Sequence, residues 1–163
     1  MRQLEVFIVE GNRFTGPIPS LISNLTRLAN LQIGGNLLTG TIPLEFGNLK
    51  LVVLNVSGNN LSGTIPDIFQ SMPDLRSLVL SRNRFSGELP PSIALLPPVL
   101  TFLELGQNNL WGTFPSYLSR FKELQVLDLS KNRFSGVVPN NSAKLTKIAN
   151  IDLSKSSNRS AKL

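Results

Sequence analysis

The sequence predicts a repeat solenoid of the α/β class, in which short parallel β-strands stack and are joined by short 3-10 or irregular return segments. Three observations predict it. Aliphatic residues recur with a period of 23–25 residues over most of the 163-residue chain. The columns between them carry Asn, Gly and Pro in one fixed order. With 41% hydrophobic and only 16% charged residues, the chain is too apolar for disorder and can bury one continuous core.

The period is set by Leu4, Leu28, Leu51, Leu75, Leu100, Leu124 and Ile148, spaced by 24, 23, 24, 25, 24 and 24 residues. A second apolar column is Phe7, Leu31, Leu54, Leu78, Leu103, Leu127 and Ile151, and a third, two residues on, is Val9, Ile33, Val56, Leu80, Leu105, Leu129 and Leu153. Next comes Asn12, Asn36, Asn59, Asn83, Asn108 and Asn132, replaced by Ser156 in the last unit. Glycines 16, 40, 63, 87, 112 and 136 follow, and each unit closes on an apolar-Pro pair such as Ile18-Pro19 or Leu89-Pro90. These columns predict a single domain over residues 1–163, with about seven repeats starting at 4, 28, 51, 75, 100, 124 and 148, the last partial, and no cysteine caps.

Each column has a physical reason. The x-L-x-L-x core alternates with period two, which is a short strand with one buried face. Stacked units bury one turn's leucines against the next and place parallel strands ~4.8 Å apart. Asparagine at the strand exit can donate twice and accept, satisfying backbone groups of a turn that has left the ladder. Glycine allows positive φ at the next bend, and proline ends the pairing. On the return segment Ile22, Phe46, Phe69, Ile93 and Leu118, then Leu25, Leu49, Met72, Leu96, Phe121 and Leu145, supply the second core wall, with Ser142 its one polar break.

The chain contains no Cys and no His. That excludes disulfides, Cys/His zinc sites and histidine-based nucleophilic catalysis. No stretch approaches the ~18 apolar residues of a membrane span, and the first residues do not read as a signal peptide. Net charge is +6, and five basic residues against one acid fall between Lys144 and Leu163. No aromatics interleave with them, so that tail reads as solvated and no nucleic-acid partner is expected.

The pattern L-x-x-L-x-L-x-x-N-x-L-x-G-x-I-P resembles the plant-specific class of extracellular leucine-rich repeats, over residues 4 to about 155. That class includes receptor-like kinases, receptor-like proteins and polygalacturonase-inhibiting proteins. The resemblance implies a leucine-rich-repeat right-handed superhelix with a concave parallel β-sheet and short 3-10 or irregular convex segments. It implies a non-catalytic module binding a protein or peptide ligand on the concave face, in an extracellular, cell-wall or plasma-membrane setting. A secreted defence protein of the polygalacturonase-inhibitor type, with pectin or a cell-wall enzyme as partner, is the alternative. An ice-binding surface on Thr41, Thr64 and Thr113 is weaker, because Glu88 and Val137 interrupt that row. Family ectodomains carry a signal peptide and a cysteine-paired cap; this chain enters its first repeat with neither, leaving Leu4, Phe7, Val9 and Phe14 at an expected open end.

Recognition should fall to the variable positions between the leucines. The central strand column reads Ile8, Gln32, Asn55, Val79, Glu104, Asp128 and Asp152, ending in three carboxylates on consecutive turns. At ~5 Å separation they should repel and raise one another's pKa, which suits a cationic partner or simply keeps the sheet soluble, with Arg82, Lys131 and Lys155 near enough to compensate. Phe102, two residues before Glu104, is a candidate apolar floor for this acidic pocket. The pairs Arg82/Arg84 and Lys131/Arg133 bracket their asparagines and could bridge a polyanionic sugar or merely solvate the flank. Trp111 stands in a column of hydroxyl residues and is a candidate interface anchor or a packing residue. Sequons mark Asn24, Asn55, Asn60, Asn140 and Asn158 as glycosylation candidates if the chain is secreted. A carboxylate pair such as Glu104/Asp128 could do acid–base work on sugars, but an open sheet excludes little water, so no enzyme activity, metal or cofactor is expected.

Overall fold

The computed structural model describes residues 3–136 and 147–154. One strand per repeat builds a seven-stranded parallel sheet: β1 (Val6–Ile8), β3 (Asn30–Gln32), β5 (Val53–Asn55), β7 (Ser77–Val79), β9 (Phe102–Glu104), β11 (Val126–Asp128) and β13 (Asn150–Asp152), in that order. The register follows the sequence columns without a slip: Phe7 pairs Leu31, Leu31 pairs Leu54, Leu78 pairs Leu103, and Leu127 pairs Ile151. Leu31, Leu54, Leu78 and Leu103 are fully buried, and one contiguous core runs from Ile18 to Phe134. Among the described residues the convex wall is made by the predicted side chains, with Phe46, Phe69 and Ile93 fully buried and Ile22 and Leu25 partly buried; Ser142 and Leu145 lie outside the described residues.

Proline places the return segments. Among the described residues five 3-10 helices span Ser20–Asn24, Leu44–Asn48, Phe69–Ser71, Pro91–Leu95 and Ser116–Arg120. Four start directly after an extended proline, at 19, 43, 90 and 115, whose carbonyl accepts the first i→i+3 bond.

The asparagine column forms a ladder in which each side chain ties two turns together. Asn83 Nδ2 donates to the carbonyls of Leu80 and Ser81 in its own turn and Val56 in the preceding one, while its Oδ1 accepts from the Leu61 N–H at 3.0 Å. Asn36, Asn59, Asn108 and Asn132 repeat the arrangement and, like Asn83, are buried. Asn12, in the first turn, donates only to its own turn.

Two features go beyond the sequence reading. A second set of strands follows each asparagine: β2 (Thr15–Pro17) pairs β4 (Leu37–Thr39), and β6 (Ser62–Gly63), β8 (Arg84–Gly87), β10 (Asn109–Thr113) and β12 (Arg133–Ser135) form a separate four-stranded parallel sheet. The residue before each asparagine is left-handed: glycine in the first three turns, but Arg82 (φ 57), Gln107 (φ 57) and Lys131 (φ 50) in the next three. Side chains are carried there against a steric cost of ~1–2 kcal/mol each.

At the first turn Phe7, Val9, Phe14, Ile18, Ile22 and Leu38 surround an apolar hollow, and Phe14 is 52% exposed. No helix among the described residues is long and apolar enough to cross a membrane.

Candidate functional site

Strand alternation turns the residue between the two leucines of each L-x-L segment away from the core, and the in-register pairing lines those residues up across the sheet. Glu104 faces Val79 on one side and Asp128 on the other, and Asp128 faces Asp152. Glu104, Asp128, Arg82, Gln107 and Ser81 line a shallow depression of about 310 Å3 together with Val79, Ser57, Gly35 and Gly58. It is a mixed-charge basin, with carboxylates on the sheet and a guanidinium and an amide supplied from the left-handed positions.

The three acids differ in environment. Burial pushes the Glu104 carboxyl up, the neighbouring Asp128 charge adds to this, and Arg82 partly offsets both. Asp152 departs from the expectation of mutual raising: its carboxyl is held below the usual range, first because it accepts from the Ser154 N–H at 2.9 Å and from the Ser154 hydroxyl, with the Lys131 charge a smaller cause. Asp128 makes the same turn, accepting from the Ser130 N–H at 2.8 Å, and Asn55 accepts from the Ser57 N–H at 3.0 Å. Glu104 does not make this turn: its side chain is one methylene longer than the Asp and Asn that do, and Gly106, two residues on, offers an N–H but no hydroxyl. Gly106 leaves room for the Asp128 carboxylate, which a Cβ there would displace.

The remaining candidates are more scattered. Phe102 is 38% exposed on β9 and shares the concave face with Glu104, but it does not line the basin. The basin is lined instead by residues of the preceding turns, among them Val79, Ser57, Gly58 and Gly35. The basic pairs are divided between two parts of the surface. Arg82 joins the basin, whereas Arg84 lies on β8 and donates to Asn60 Oδ1 at 3.1 Å. Lys131 acts on Asp152, while Arg133 on β12 pairs with Trp111 on β10 and donates to Asn109 Oδ1 at 3.5 Å. Lys155 lies outside the described residues.

Trp111 is 49% exposed and lies far along the second sheet, beside a separate hollow lined by Glu88, Thr113, Ser116 and Tyr117. Of the sequons, Asn24 is exposed on the first 3-10 helix; Asn55 donates to Glu10 and Asn60 accepts from Arg84. Asn140 and Asn158 lie outside the described residues. Sequence reasoning missed Gln107 and Ser81 as basin residues. The signal available was the replacement of Gly by Arg, Gln and Lys in one column from the fourth turn on.

Comparison with known proteins agrees with this architecture. A family model described as Leucine Rich Repeat matches residues 3–25, 27–49, 50–72 and 74–96, and a second, described as Leucine rich repeat, matches 98–158. The LRR receptor-like serine/threonine-protein kinase EFR of Arabidopsis thaliana is 50% identical over 48 residues, covering 29% of this chain and 5% of that protein. The ectodomain of the Arabidopsis thaliana receptor kinase GASSHO1/SCHENGEN3, solved with CASPARIAN STRIP INTEGRITY FACTOR 2, superposes with a TM-score of 0.92 at 35% identity over 96% of this chain and 19% of that one. A chain of the Arabidopsis thaliana BIR3–SERK2 complex matches with a TM-score of 0.71 at 36% identity, covering 79% of this chain and 68% of that one. The chain thus spans only a small part of the two receptor kinases. On the repeat matches, the sheet register and these likenesses, the chain belongs to the leucine-rich repeat family, in its plant receptor-like class.

Proposed function

We propose that this solenoid is a non-catalytic ligand-binding segment of a plant receptor ectodomain, presented outside the cell, and that it captures a protein or peptide through a basic segment docked over the fifth to seventh turns. The carrying observation is the in-register Glu104–Asp128 pair opening onto the basin that Arg82 and Gln107 border. A cation there would relieve the repulsion between the two carboxylates and offset the partial desolvation of Glu104. The receptor kinases of similar architecture, one of them solved with CASPARIAN STRIP INTEGRITY FACTOR 2, support the ligand class.

The test is calorimetry with peptides selected on the immobilised protein from an unbiased peptide library. Selected peptides should be rich in Lys and Arg. Glu104→Ala/Asp128→Ala should weaken binding by at least ~2 kcal/mol, as expected for central contacts. Gln32→Ala, three turns away on the same face, should change it by less than ~0.5 kcal/mol. Equal losses at both ends would replace the acidic site with a partner spanning the whole face. The pectin-binding reading rests on the basic pairs, which the fold divides between the basin and the second sheet, with Arg84 and Arg133 already bonded to asparagines.

A further inference from the structure

The hollow beside Trp111 is built differently from the concave basin and stands on the other sheet. Its elements are an exposed indole on β10, the Tyr117 ring from the following 3-10 helix, and four polar groups: the Glu88 carboxylate and the hydroxyls of Thr113, Ser116 and Tyr117. The hollow measures about 270 Å3. Among the described residues none of the four side-chain groups makes a hydrogen bond to another residue, although Tyr117 is buried deeply enough to push its hydroxyl pKa up to about 12. Glu88 reaches the hollow by lying across Gly112, whose φ of 111 and missing Cβ make room for the glutamate stem.

From this arrangement we infer that the Trp111 hollow is a saccharide subsite that takes a neutral pyranose unit. A pyranose has an apolar C–H face and a hydroxyl edge. The indole offers a flat, rigid apolar surface, and the hydroxyl and carboxylate groups around it match the edge. An apolar peptide side chain would bury these groups without partners, at a penalty for each. A uronate would bring a second negative charge beside Glu88. Arg133, the cation paired with Trp111 across the strands, is turned to Asn109. The subsite is independent of the peptide-binding reading, since it shares no residue with the Glu104 basin.

Trp111 is the only tryptophan in the chain, so its emission reports directly on the site. The protein is titrated with cellotetraose, xylotetraose, mannotetraose and laminaritetraose, and in parallel with tetragalacturonate and a phenylalanine-rich peptide. At least one neutral sugar should give a saturable emission shift, with half-saturation on the order of millimolar for so open a site. The variant Glu88→Gln/Thr113→Val/Tyr117→Phe keeps the reporter and should weaken that response at least about tenfold, by loss of several hydrogen bonds. The exposed single change Glu88→Gln, which leaves the fold untouched, should weaken it about threefold. Glu104→Ala/Asp128→Ala should leave it unchanged. The assignment is overturned if no neutral sugar shifts the emission, if the triple variant binds as well as the parent, or if tetragalacturonate or the peptide binds more tightly than every neutral sugar.

Discussion

Asn83→Ala tests whether the asparagine ladder holds consecutive turns together. The expected loss can be worked group by group. Three carbonyls accept from Asn83 Nδ2, and each keeps another donor: Val56 has Asn59, Leu80 has Asn108, and Ser81 has the Gly58 N–H. Their loss is small, a fraction of the usual ~1 kcal/mol per bond. The Leu61 N–H is different. It donates to Asn83 Oδ1 inside the core, Leu61 is fully buried, and alanine leaves that donor without a partner, at about 1–3 kcal/mol. The total is roughly 2–4 kcal/mol, a large share of a domain's usual stability of about 5–15 kcal/mol. Urea unfolding followed by far-ultraviolet circular dichroism reads the change. Asn12→Ala is the internal control, because Asn12 is exposed and its donors reach only its own turn; it should cost less than ~1 kcal/mol. Equal midpoints for the two variants would refute the cross-turn role of the ladder.

Further outcomes follow from the same structure. Leu78→Ala removes a fully buried side chain and should cost ~2–5 kcal/mol in thermal or urea unfolding, weakening the whole array because neighbouring turns share the layer. The folded state binds the Glu104 proton more tightly than the unfolded chain. Stability should therefore fall as pH rises past the ordinary glutamate value of about 4.3, and Glu104→Gln should flatten that part of the urea-midpoint profile. Gly106→Ala should displace the Asp128 carboxylate and reduce basic-peptide affinity in calorimetry, while shifting stability by less than ~1 kcal/mol, because the colliding group is the end of a side chain. If wall polysaccharide is the partner, Arg82→Gln/Lys131→Gln should abolish salt-sensitive retention on polygalacturonate, contacts that screen over ~8–10 Å; absence of retention in the parent protein removes that reading.

The fold was legible because each structural requirement recurs at least six times. One Leu-x-Leu segment is ambiguous, but a 24-residue recurrence with Asn, Gly and Pro at fixed offsets forces strand, exit, bend and return in that order. The second sheet was not legible: two- to five-residue strands such as Ser62–Gly63 have no alternation long enough to read. The left-handed position was hidden for a related reason. Glycine in three turns and Arg, Gln or Lys in three others looks like chemical variation, and only the backbone shows that the side chains are carried at a strained position. At the site, register was readable and environment was not. Glu104 and Asp152 occupy one column, yet the shorter Asp152 accepts from the backbone and hydroxyl of Ser154, which lowers its carboxyl, while the longer Glu104 makes no such turn and is raised by burial.

The unbroken register of the seven-stranded sheet sets a ruler for anything lying across it. Successive turns are marked every ~4.8 Å, while an extended peptide advances ~3.4 Å per residue and repeats a face every ~6.8 Å. The two scales do not divide evenly, so a ligand strand cannot offer one side chain to each turn. Glu104 and Asp128 therefore cannot be met by two successive same-face residues of an extended partner. They can be met by one planar cation wide enough to touch both, which is the geometry of a guanidinium. If the proposed basic segment docks here, peptides carrying arginine at this pair of turns should bind more tightly than the same peptides carrying lysine.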